Sequence, residues 1–192
     1  MYNGSLTKEH KQEEQAMTAI GLLIARLIVG MAMAAHGSQK AFGWFGGYGL
    51  KGTGGFFESM GYRPGVLFAA LAAYGEIAGG ILTALGLFGP IGPALIVLVM
   101  VVAAGSTHLK NGFFASKNGF ELNAFYVASA LALTFGGPGA LSLDGVLGLE
   151  GYFSATVNAT AIGAGFLIGL ISLALRRTDA PAGTHAAPRP AA

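Results

Sequence analysis

Six residues carry most of the chemistry this chain offers: Arg26, His36, Lys40, Glu76, His108 and Glu121. Arg26 lies inside the apolar run "IARLIVGMAMAAHGSQK", and Glu76 lies inside "VLFAALAAYGEIAGGILTALGLF". A charge surrounded by apolar helix is costly in a bilayer, by several kcal/mol at mid-depth, so such residues face a partner or a polar cavity. Arg26 comes ten residues before His36, and Glu76 comes ten residues after Val66. At 1.5 Å rise per residue each is about 15 Å from the same boundary. Equal depth on consecutive antiparallel helices predicts that Arg26 and Glu76 face each other, either as a register-setting pair or as the anchor of a ligand pocket.

A second polar group is expected near that boundary. His36 and Lys40 are four residues apart, which is one helical face if the helix continues through Gly37. His108 ends one apolar run and Glu121 begins the next, both on the side of His36 and Lys40. The four can converge in a polar pocket. Two histidines and a carboxylate are also metal-ligand types, but no short ligand motif joins them, and no metal site is assigned.

The elements that position these residues follow from composition. The 192-residue chain is 53% hydrophobic and only 10% charged, far below the roughly 25% charged residues of a soluble domain. It is therefore expected to be an all-α integral membrane protein. The net charge of +2 is scattered and flanks apolar runs, which argues against nucleic acid. The absence of cysteine excludes disulfides and cysteine-ligated clusters. Helical spans need about 20 apolar residues. Five runs qualify or nearly qualify: Met17–Ala35, Val66–Phe88, Pro93–His108, the short Leu122–Phe135, and Ala155–Leu175. None shows the period-two alternation of barrel strands.

The polar segment 1–16 lacks the features of a cleaved signal peptide, so the first run reads as a retained span. Residues 17–145 form the main bundle, and 146–176 a linker with the fifth helix. Residues 177–192, rich in Pro and Ala, are expected to be disordered. Lys40, Lys51, Arg63, Lys110, Lys117, Arg176 and Arg177 all fall on one side of these spans. That side is expected to be cytoplasmic, with the C-terminus, and the N-terminus outside. The stretch 37–63 alternates glycine with Phe42, Trp44, Phe45, Tyr48, Phe56, Phe57 and Tyr62. It reads as an interfacial loop or as a lid over one end of the bundle.

Several elements in fixed order resemble the DoxX family of small bacterial and archaeal membrane proteins. They are Arg26 followed by "AAHGSQK", the aromatic glycine-rich loop, "YGEIAGGILTALGLF", "STHLKNGFF", and "GFELNAFYVASALALTFGGPGALSLD". The resemblance covers about residues 18 to 145 and implies a four-helix membrane core, here extended by a fifth C-terminal helix. It maps the family's recurrent polar positions onto Arg26, His36, Lys40, Glu76, His108 and Glu121. Relatives include a subunit of a thiosulfate:quinone oxidoreductase. The resemblance therefore implies a redox-associated inner-membrane protein that binds a quinone or similar ligand near the cytoplasmic half, with a membrane or soluble redox partner subunit or a second copy of itself. Two other classes stay open: a noncatalytic structural subunit and a small-solute or proton transporter. Neither an electron carrier nor a catalytic residue is specified by the sequence.

Overall fold

The computed structural model describes residues 3–177, with side chains from Lys8 onward; the tail call on 178–192 lies outside the described residues. Helix α1 spans Asn3–Phe42, α2 Gly49–Ser59, α3 Gly65–Leu85, α4 Ile91–Ala103, α5 Glu121–Gly136, α6 Leu143–Val146 and α7 Ala155–Ala174. No strand occurs among the described residues. Four helical stretches are long and apolar enough to cross a membrane: Lys8–Phe42, Gly65–Leu85, Ile91–Asn111 and Ala155–Ala174. The protein is a multi-pass membrane helical bundle, and the C-terminal run is one of its crossing helices. The expected span at Leu122–Phe135 is helical, but α5 has only 16 residues. That is about 24 Å, short of a bilayer core of roughly 30 Å.

Helix α1 is unusually long. Its 40 residues extend about 60 Å, and no break separates the polar start from the apolar run. At its other end it continues through Gly37 to Phe42, past the expected boundary at His36. Two features allow this. The Ser38 hydroxyl bonds back to Ala34 O at 2.8 Å. Gly37 lies against the Ala73 carbonyl and Ile77 of α3, so its missing side chain is used for packing.

Helices α1 and α3 make the most extensive contact in the molecule. Gly30 and Gly80 are the point of closest approach. A Cβ on either would meet the other's carbonyl oxygen. Small residues let backbones touch in this way and substitute for the hydrophobic driving force that lipid does not provide. Helix α7 docks on α4 by the same device, with Gly165 against Ala94 and Gly169 against Val101. Met33, Ile96, Val97, Val99, Met100 and Ala130 form the central core.

The helix ends have identifiable causes. α3 stops at Gly86, which is left-handed (φ 61°) and whose successor Leu87 donates to Leu82 O at 3.0 Å. α4 tolerates Pro93 because it falls in the first turn, where its missing N–H costs nothing. Ser154 caps α7 through Val157 N at 3.3 Å.

One end of the bundle gathers most of the basic residues. Arg176 Nε donates to Met60 O at 2.9 Å, and Arg177 N to Gly61 O at 2.8 Å. The Tyr62 hydroxyl meets Ser106 Oγ at 2.9 Å within a π-turn, Ala104–His108. Helix α2 packs on α1 and α3 at this end, burying Thr53, Gly54 and Phe57 and exposing Phe56. The aromatic stretch is thus a short turn plus an amphipathic helix. The opposite end carries the α3–α4 turn and the segment 137–154.

Candidate functional site

Arg26 and Glu76 do not pair. The correction comes from helix register. With Gly30 against Gly80, Arg26 lies a turn beyond Gly30 and reaches Gly86. Glu76 lies a turn before Gly80, and its carboxylate receives Lys40 Nζ at 2.6 Å. The helix runs on past His36 to Phe42, and the Lys40 side chain reaches Glu76 from the turn beyond it. Glu76 is 3% exposed, whereas the Lys40 side chain is 31% exposed. His36 is exposed, and its Nδ1 meets Gln39 Oε1 at 3.2 Å. Its ring stands edge-on to Tyr126 at 6.0 Å. Lys40, Glu76 and His36 therefore form one neighbourhood on α1 and α3, faced by α5.

His108 and Glu121 do not join them. His108 Nδ1 meets Asn118 O at 2.9 Å, and Glu121 accepts from Ala115 N at 2.7 Å. Both hold the turn between α4 and α5. Among the described residues, no group of three His, Asp or Glu is arranged to hold a metal ion.

Arg26 stands at the other end of the bundle and is 3% exposed. Its Nη2 donates to Leu141 O at 2.9 Å. Its Nε and Nη1 have no hydrogen-bond partner among the described residues, nor does the hydroxyl of Thr83. Orphaned buried donors cost about 1–3 kcal/mol each, more for a charged group. Arg26 and Thr83 both line a cavity of about 920 Å³. Leu22, Leu82, Leu133 and Pro93 supply apolar wall, and the exposed Lys11, Glu14 and Glu150 also border it. The cavity therefore lies at the end away from the basic loops, not near the expected cytoplasmic half. No residue of 37–63 lines it, so the aromatic stretch is not its lid.

Gly86 is required here twice over. Its backbone is left-handed, and a Cβ would collide with Arg26 Nη1. The roof is made by 137–154. Asp144 is fully buried, and its carboxylate accepts from Phe88 N at 3.0 Å and Gly89 N at 2.6 Å. Its own N–H donates to Gly86 O at 3.0 Å. Ser142, also buried, accepts from Gly145 N at 2.9 Å and donates to Gly139 O at 2.6 Å. Asp144 thus ties the roof to the α3–α4 turn and lies in electrostatic reach of Arg26. Sequence reasoning missed Asp144 and Thr83. The available signal for Asp144 was the pattern "SLDG", a serine cap with an acid in the first turn. Asp144→Ala is expected to cost about 3 kcal/mol, by stripping two charged hydrogen bonds and the counter-charge of Arg26. Thermal unfolding in detergent measures this, and Asp144→Asn, which keeps one acceptor, should lose less.

The DoxX family model matches residues 21–109. Over that segment the chain is similar to the DoxX family. Neither a curated protein nor a solved structure matches it. The DoxX segment holds Arg26, His36, Lys40, Glu76, Thr83 and His108. Leu141 and Asp144, which complete the surroundings of Arg26, come from beyond it.

Proposed function

We propose that this DoxX-like protein is a redox-associated inner-membrane protein that binds a quinone, or a similar small carbonyl ligand, in the Arg26 cavity. The observation that carries the reading is the pair of unpartnered guanidinium nitrogens on a buried arginine lining that cavity. A ligand oxygen can accept from one of them. Charge balance favours a neutral carbonyl over an anion. Asp144 already offsets Arg26, and a bound anion adds a second negative charge in a low-dielectric site. The Leu22, Leu82 and Leu133 walls suit an apolar ring. Electrons come from a partner subunit, since no residue set of this chain specifies a carrier.

The basic end, with Lys51, Arg63, Lys110, Lys117 and Arg176, faces the cytoplasm in this reading, by the bias of Lys and Arg toward that side. The cavity then opens toward the outer half. Glu76 and Lys40 serve as a buried register pair, apart from the ligand.

Purified protein should release quinone on solvent extraction, or bind added decylubiquinone with a lowered carbonyl stretching frequency in infrared difference spectra. Arg26→Met, which keeps apolar length and removes every donor, should lower the affinity at least about tenfold while the bundle still assembles, because a hydrogen bond from a charged group contributes about 1.5–3 kcal/mol. A wild-type protein that neither carries nor binds quinone, in a complex whose activity survives Arg26→Met, would instead support the noncatalytic structural subunit.

A further inference from the structure

Thr83 differs from four other hydroxyls of these helices. Thr18, Ser38, Thr134 and Ser172 each bond back to the carbonyl four residues earlier, at 2.9, 2.8, 2.7 and 2.8 Å. That back-bond is the default for a helical hydroxyl, which otherwise goes unsatisfied when buried. Thr83 is 3% exposed and does not make it. Nor does it bond to α4, although a Cβ on Gly92 would press on its oxygen. Its hydroxyl is therefore uncommitted, and it stands one turn before Gly86, the glycine that Arg26 Nη1 approaches. Two side chains with unpartnered polar atoms, both almost fully buried, line the same cavity.

Their hydrogen-bonding capacities are complementary. An arginine only donates, whereas a threonine hydroxyl donates or accepts by rotating its proton. We propose that Thr83 is the specificity-determining residue of the cavity and lets it hold both redox states of its ligand. This rests on the reading of the cavity as a quinone site. A carbonyl oxygen takes one donor from Arg26 and one from the Thr83 hydroxyl. A reduced, hydroxyl-bearing ring still accepts from Arg26 and now gives its own proton to Thr83 Oγ1. The ligand oxygen is hydrogen-bonded in either state. Arginine alone offers the O–H of the reduced ligand no acceptor, because a guanidinium only donates.

The test compares binding of decylubiquinone and of its quinol, kept reduced under anaerobic conditions, to wild type, Thr83→Val and Thr83→Ser. Val preserves shape and removes the hydroxyl. The wild type should bind the two forms with affinities within about threefold of each other, both oxygens being satisfied. Val should lower quinol affinity by about tenfold or more, through a stranded donor, and quinone affinity by about threefold or less. Ser should restore the wild-type ratio, which a purely structural role of Thr83 does not predict. If Val prevents assembly, Thr83→Ala carries the same comparison. A quinol-to-quinone ratio unchanged by Val or Ala overturns the role of Thr83. A wild-type protein that binds neither form overturns the quinone reading itself.

Discussion

Lys40→Met should destabilise the protein by about 3–5 kcal/mol, the usual cost of leaving a buried charge without its partner. Glu76 is almost wholly enclosed, and Lys40 Nζ is its ion-pair partner. Glu76→Gln should cost clearly less. The Lys40 side chain is partly exposed and can extend its ammonium to the interface, whereas Glu76 on the buried face of α3 has no such escape. The asymmetry follows from burial, not from the pair's own strength. Lys40→Met combined with Glu76→Leu should recover much of the loss, since an apolar pair removes both desolvation penalties. Detergent-solubilised protein, unfolded by heat or by SDS titration, provides the measurement. Equal losses from the two single changes, or a double variant no better than Lys40→Met, would contradict the account.

Gly80→Leu should be at least as damaging, by about 3 kcal/mol or more, because the added side chain is driven into backbone. A Cβ on Gly80 meets Gly30 O and Ala34 N, neither of which can rotate aside as a side-chain terminus would. Forcing α1 and α3 apart also shifts the register that brings Lys40 over Glu76 and Arg26 under Gly86. Gly80→Leu should therefore abolish quinone binding along with stability. Gly21→Leu, on the same helix as Gly30 but with nothing within 4 Å of its Cβ, is the control and should leave stability within about 0.5 kcal/mol of wild type. If the two leucine variants unfold alike, the α1–α3 glycine contact does not hold the bundle together.

The helical bundle was legible because membrane helices announce themselves by length and apolarity. The runs around Arg26, Glu76, Pro93 and Gly165 each exceed what any other environment favours, and four helical stretches meet that description. The helix α5 was legible as a helix, and its 16 residues run from the His108 turn at the basic end to the segment 137–154 at the other. Its ends are set by local turns, such as His108 on Asn118, and turns of that kind carry little sequence signal. The polar residues inside the spans were also legible, since Arg26 and Glu76 stand out against an apolar background. Their partners were not. The register of α1 against α3, set by Gly30 at Gly80 and Gly37 at Ala73, places Arg26 at Gly86 and leaves Glu76 within reach of Lys40. His108 and Glu121 share a side of the bundle with Lys40, as expected, yet each is absorbed by backbone groups of its own turn.

By itself, the sequence determined that this chain is a multi-pass all-α membrane protein similar over part of its length to the DoxX family, that most of its basic residues collect at one end, and that a few polar groups stand inside apolar helices. These are sums over many residues, and solvation makes them additive. Tertiary structure alone decided which charge meets which, that the cavity lies opposite the basic end, and that Asp144 and Thr83 belong to its surroundings. Those outcomes depend on the register of α1 against α3 at Gly30 and Gly80 and on a roof folded back from residues 137–154. A pairwise contact changes with a one-turn slip that leaves composition and hydropathy untouched.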